Sequence, residues 1–309
     1  MPTMGDLEPG PRRRFYLGMA VDRYRDLPDD GGLIRPSADA ERLAGLLAPA
    51  GYQQALPGMG NYWTADHVRS TLSGWSKDVD LGPDDVVIFY FAGHGMAADR
   101  DRHYLMCWNS ETDDPAATAL ATEDLVRILT RSGLRNLLMV LDTCYGGTAA
   151  ADGAQVALRT IARQFTGTGS SGVWLLSSAR AKDEAIDGAF IDALVPALRE
   201  VSARTGQRQR HLDLVHVVDA VNHQFHRSGL RQRAELAAGM VTGLAPSWIT
   251  RATATTSPPG TWIWNSNGCS ASATYTTISD PDPEVSSSTR NPVSTFTGEN
   301  ACSMSSSPG

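Results

Sequence analysis

The chain has 309 residues and a mass of 33.1 kDa, enough for a sizeable core in one large domain or two small ones. Lys and Arg total 27 against 34 Asp and Glu, a net charge of −7, so the basic surface that a sequence-independent nucleic-acid binder needs is missing. No apolar run approaches the roughly eighteen residues of a membrane span, and neither nucleic acid nor membrane is expected as a partner. The first residues lack the basic start and apolar run of a secretory signal. The cysteines at 107, 144, 269 and 302 form no Cys-x-x-Cys pair, which argues against a zinc ribbon and for a reducing, cytoplasmic compartment.

Residues 1–13 read as a flexible leader. Residues 14–21 form a short apolar run, expected to be a buried strand. A helix is expected over 37–48, capped by Ser37, with Leu43, Leu46 and Leu47 on one face. A second is expected over 64–79, with Thr64 as its cap and Val68, Leu72 and Trp75 at helical spacing. Residues 85–92 (DVVIFYFA) are continuously apolar, as in a strand covered on both faces. Further strands are expected at 103–108, 136–141 and 172–177, and helices at 123–130, 187–202 and 212–226. Strands alternating with helices imply βαβ crossovers, hence an α/β domain over 14–250 with a mostly parallel sheet. Residues 251–309 contain 23 Ser or Thr and no Leu, so a disordered tail is expected there.

In such sheets reactive groups collect outside the carboxyl ends of the strands. One strand runs into Ala92-Gly93-His94-Gly95, another into Leu141-Asp142-Thr143-Cys144-Tyr145-Gly146-Gly147. A thiol is only slightly ionised at neutral pH, and a neighbouring imidazole makes it a nucleophile. The expectation is that His94 and Cys144 meet on adjacent loops. The flanking glycines allow close approach of backbone to a substrate carbonyl, which makes the N–H groups of Gly95 and Cys144 candidates for the oxyanion hole.

Phe91-Ala92-Gly93-His94-Gly95 and Leu141-Asp142-Thr143-Cys144-Tyr145-Gly146-Gly147 resemble the two catalytic motifs of the caspase-like cysteine peptidases, closer to the bacterial and metacaspase branch than to animal caspases. Arg35-Pro36-Ser37-Ala38-Asp39-Ala40 is similar to that branch's helix start. The resemblance implies a three-layer αβα sandwich, with His94 as general base, Cys144 as nucleophile and no third carboxylate. It implies an effector in bacterial signalling, defence or regulated cell death, linked to a regulatory sensor or ATPase. Thr143 stands where metacaspases usually carry Ser or Cys, and Tyr145-Gly146-Gly147 replaces their commoner His-Ser-Gly.

Animal caspases place a Gln two residues before the nucleophile, where Asp142 stands here. A carboxylate there repels acidic substrates and favours a peptide with Arg or Lys before the scissile bond. Asp39 matches a second acidic pocket position of metacaspases; as a first-turn helix acid it also has an ordinary role against the helix dipole. Two other classes stay open: a catalytically silent interaction module on this fold, and a non-peptidase thiol hydrolase. A dyad requires no cofactor. Calcium, which several metacaspases require, finds no EF-hand spacing among Asp99, Asp101, Asp113 and Asp114. His216, His223 and His226 read as an exposed helix face, with no metal site expected, and Arg159 and Arg163 as helix charges within the interval where the family is often self-processed. The composition of 251–309 is also what a one-base misreading of GC-rich Leu and Asp codons yields, so a frame-shifted remnant stands beside a true linker.

Overall fold

The computed structural model describes residues 13–27, 32–98, 102–145, 172–179, 186–204, 211–239 and 248–250. The expected tail at 251–309, Arg159, Arg163, Asp99, Asp101 and residues 1–12 lie outside them. A sheet runs in the order β2-β1-β3-β6-β7-β9. Its strands are β1 (Arg14–Ala20), β2 (Tyr52–Met59), β3 (Val86–Ala98), β6 (Asn136–Tyr145), β7 (Gly172–Ser177) and β9 (Glu235–Gly239). All neighbours are parallel except β7 and β9. β4 (Arg102–Leu105) folds back antiparallel on the far end of β3 and pairs with the short β5 (Leu120–Ala121). A separate pair joins β8 (His211–Leu212) to β10 (Ile249–Thr250).

Alternation along the central strands builds two cores, one per face. Phe15, Leu17, Val87, Phe89, Leu137 and Met139 face α2 (Ala65–Asp78) and α4 (Thr122–Thr130), which contribute Val68, Leu72, Leu125 and Leu129. Tyr16, Ile88, Tyr90, Leu138 and Val140 face α1 (Pro36–Leu47), α5 (Ala189–Arg204) and α6 (Leu214–Arg227), through Leu43, Phe190, Leu194 and Val217. The short helix α3 (Pro115–Thr118) lies between β4 and β5 in the chain. The described residues thus form an αβα sandwich of the expected kind, and each fully buried large apolar side chain contributes about 1.5–3 kcal/mol to it. Among the described residues no helix is long and apolar enough to cross a membrane.

Thr64 caps α2 as expected, its hydroxyl accepting the His67 N–H at 3.2 Å. Ser37 does not cap α1. It occupies the helix's first turn behind Pro36, and its N–H and hydroxyl both donate to the Asp22 carboxylate, at 2.9 and 2.5 Å. A carboxylate from the β1 exit therefore satisfies the orphan donors at that end. β3 and β6 also run past their expected ends, so that Ala92–Gly95 of the first motif and Leu141–Tyr145 of the second are strand.

Candidate active site

β3 and β6 pair in unbroken parallel register from Val86↔Asn136 to His94↔Cys144 and Gly95↔Tyr145. His94 and Cys144 therefore stand on the same rung of one ladder, backbone beside backbone at the spacing of about 4.8 Å that neighbouring strands keep. They were expected on loops. The structure puts them in the sheet, because the β4 hairpin prolongs β3 beyond the point where the apolar run stops.

His94 is half-buried and held from two sides. Its N–H donates to the Tyr24 hydroxyl at 2.6 Å, and its carbonyl accepts the Met106 N–H at 2.9 Å. The Tyr24 ring lies against the imidazole with centroids 4.7 Å apart and planes 34° apart. Gly93 makes this approach feasible: it has φ +156°, and a Cβ there would sit 2.7 Å from the Tyr24 oxygen. A Cβ at Gly95 would lie 3.1 Å from both His103 Nε2 and the Thr143 Cβ. Thr143, the departure from the metacaspase pattern, is fully buried and packs its side chain against that glycine. His103 is no rival base. Burial pushes its pKa down to about 4, and its Nδ1 is 2.7 Å from the Thr122 hydroxyl.

Tyr24 is a contact of His94 that the motifs did not reveal. Its loop, Asp22-Arg23-Tyr24-Arg25-Asp26, reads as charged surface, yet this one ring is buried. Tyr24→Phe leaves the His94 N–H without its acceptor, and an unmet buried donor costs about 1–3 kcal/mol. We expect kcat to fall about tenfold with little change in KM and a displaced pH–rate profile. A lowered melting temperature with an unchanged kcat and pH profile would make the contact merely structural.

Two rungs below Cys144, Asp142 accepts a hydrogen bond from the Tyr90 hydroxyl at 3.0 Å. Desolvation raises its pKa to about 7. The neighbouring charges of Asp39 and Asp187 add to the rise, while the hydroxyls of Ser178 and Tyr90 oppose it. Asp39 is buried in the first turn of α1 and belongs to the same cluster. It is already engaged: Arg35 and Arg42 reach it at 3.2 and 2.9 Å, and both also bind Asp192, at 3.0 and 2.7 Å. Burial raises the Asp39 pKa despite these arginines. Asp187 accepts the N–H groups of Ile34 and Arg35 at 2.7 and 3.2 Å. Of these four carboxylates Arg35 and Arg42 bind Asp39 and Asp192, Asp187 holds backbone N–H groups, and among the described residues Asp142 has no arginine.

Of the other candidates, Cys107 is buried, and its thiol is pushed up to about 12, which makes it inert. Asp114 caps α3 through the Ala117 N–H at 3.2 Å. His223 and His226 line a cavity with Asp219, Arg231 and Arg233 on α6 and the segment after it. Among the described residues no three His, Cys, Asp or Glu converge on a metal-sized site.

A sequence profile of the family described as the caspase domain matches residues 20–245. No curated protein matches the chain. Among solved structures, a Geobacter sulfurreducens protein determined by crystallography as a structural genomics target is similar in fold. It has a TM-score of 0.52 and 17% identity, over 77% of this chain and 97% of that one.

Proposed function

The chain belongs to the caspase-domain family of peptidases, and on that premise we propose that it is a cysteine endopeptidase cutting after Arg or Lys. The observation that carries this reading is the register of His94 opposite Cys144, with glycine on both sides of the histidine. His94 takes the thiol proton, and the thiolate attacks the scissile carbonyl. The oxyanion is received by the N–H groups of Gly95 and Cys144. The C–S bond forms, the C–N bond breaks, and the imidazolium gives its proton to the leaving amine. Water, deprotonated by His94, then hydrolyses the thioester.

The basic preference rests on Asp142. Among the described residues the arginines nearby are paired with Asp39 and Asp192 and none is paired with Asp142, so there an incoming guanidinium meets a carboxylate open to it, while an incoming carboxylate meets no free arginine. In this reading the protein works in a reducing cytoplasm, without cofactor, on peptide or protein substrates. A fluorogenic peptide panel tests it. Cleavage after Arg is expected to exceed cleavage after Asp by about a hundredfold, the worth of one charge-assisted pair gained and one repulsion avoided. Equal or better cleavage after Asp would overturn the preference. Failure of a peptide-ketone probe to label Cys144 would leave the interaction module as the better account.

A further inference from the structure

Next to Tyr24, whose hydroxyl accepts the His94 N–H, the exits of β1 and β2 line a groove that no step above uses. One cavity of about 500 Å³ is lined by Arg23, Tyr24, Leu27, Leu33 and Ile34. A smaller one of about 80 Å³ continues past Arg23 to Tyr62 and Trp108. We propose that this groove binds the part of a peptide substrate that follows the scissile bond, taking apolar side chains first and an acidic one beyond them. The proposal rests on the peptidase reading and extends it to the leaving segment.

The strand order gives the direction. In the order β1-β3-β6, His94 lies on β3 and Cys144 opposite it on β6, so β1 is on the histidine's other side. The leaving amine collects its proton from His94, so that half of the substrate departs over the histidine and toward β1. Chain order reverses at the same place. β1 is followed outward by β2, while β3 returns to β1's other side, and crevices in open α/β sheets form at such switch points. Tyr24 joins the two sites, with its hydroxyl on the His94 N–H and its ring in the groove wall.

The walls are built and not merely exposed. Leu33 N–H donates to the Asp22 carbonyl at 2.9 Å, and Arg25 N–H to the Trp108 carbonyl at 2.8 Å. Tyr62 and Trp108 meet edge to face at 5.8 Å. Two large apolar side chains are nevertheless left in water, Ile34 at 88% exposure and Tyr62 at 68%. The charge is lopsided. Asp22 spends its carboxylate on Ser37 and Asn61, whereas Arg23 is exposed and has no ion pair among the described residues. An apolar surface ending in a cation that has no ion pair among the described residues suits a peptide of the sequence apolar–apolar–acidic.

Two measurements test this on the full chain. First, quenched peptides with Arg before the scissile bond carry either Phe-Leu-Asp or Gly-Gly-Asn after it. The kcat/KM ratio is expected to favour the first by about tenfold and to collapse toward unity in Ile34→Glu. Second, a fluorescein-labelled peptide beginning Phe-Leu-Asp, equivalent to a released product, is titrated by anisotropy. Binding is expected to weaken about fivefold or more in both Ile34→Glu and Arg23→Glu. Unchanged selectivity and unchanged anisotropy in these variants would overturn the groove. If the wild-type chain cleaves neither quenched peptide, the peptidase reading fails on its own, and the anisotropy measurement still decides the groove.

Discussion

Cys144→Ala is expected to lower kcat on an Arg-terminated substrate by about 10⁴-fold or more while leaving the fold intact. The substitution removes the thiol assigned to the thioester, and among the described residues no second nucleophile is at hand. Cys107 is buried with its thiol held protonated, and Thr143, next in sequence, is enclosed against Gly95. His94→Ala is expected to cost nearly as much, and the double variant no more than either alone, because base and nucleophile act as one unit. Ketone-probe labelling should disappear in Cys144→Ala. Residual turnover above about one per cent would take the nucleophile's role away from Cys144. Both changes leave the backbone bond from His94 to Tyr24 and the strand register in place, and Cys144→Ala also keeps the Tyr24–imidazole contact, so its melting temperature should stay near that of the wild type.

The parts of this molecule legible in its sequence are those whose physics is local. β3 and β6 announce themselves because a strand covered on both faces needs apolar residues at every position, and Val86–Phe91 supplies them. β2 has no such mark. Its sequence YQQALPGM is largely exposed between its ends, holds Pro57, and contains Leu56 at φ +52°. Only the edge position, with β1 as its single neighbour, makes this a strand at all. β9, five residues of ELAAG, is likewise an edge strand fixed by its partner.

The same division runs through the site. His94 and Cys144 were readable because glycine-flanked reactive residues after apolar strands form a pattern along the chain. Tyr24 was not, because its bond to His94 spans 70 residues. The Asp39 environment was half readable. A first-turn acid on α1 is visible in sequence, but the guanidinium clamp closes only when Asp192 of α5 arrives from 150 residues away. Ser37 misled for a related reason. A helix-start hydroxyl ordinarily serves its own helix, but here a stronger acceptor, Asp22, reaches in from the β1 exit.

Asp142→Asn is expected to lose about a hundredfold in kcat/KM on Arg-terminated substrates, to retain most of its activity on neutral ones, and to gain stability at alkaline pH. The two effects have one cause. In the folded chain Asp142 titrates at about 7, mainly because burial disfavours its charge, whereas an unfolded Asp titrates near 3.9. Between these values the folded state holds one proton more than the unfolded state, so stability falls as pH rises through that window. From pH 5 to pH 8 the loss amounts to about 2–3 kcal/mol for this one group. Asn keeps an oxygen for the Tyr90 hydroxyl and carries no charge, so the variant should melt above the wild type at pH 8 and level with it near pH 5. Substrate selectivity follows the opposite sign. The wild-type preference for Arg over a neutral residue should grow as pH rises through 7, because the carboxylate that holds the guanidinium appears only then, and the Asn variant should show no such rise. Thermal melts at the two pH values and a selectivity–pH profile for both proteins measure the pair. A wild-type preference for Arg that is flat from pH 5 to 8 would mean that the substrate's cation is held by a carboxylate other than Asp142.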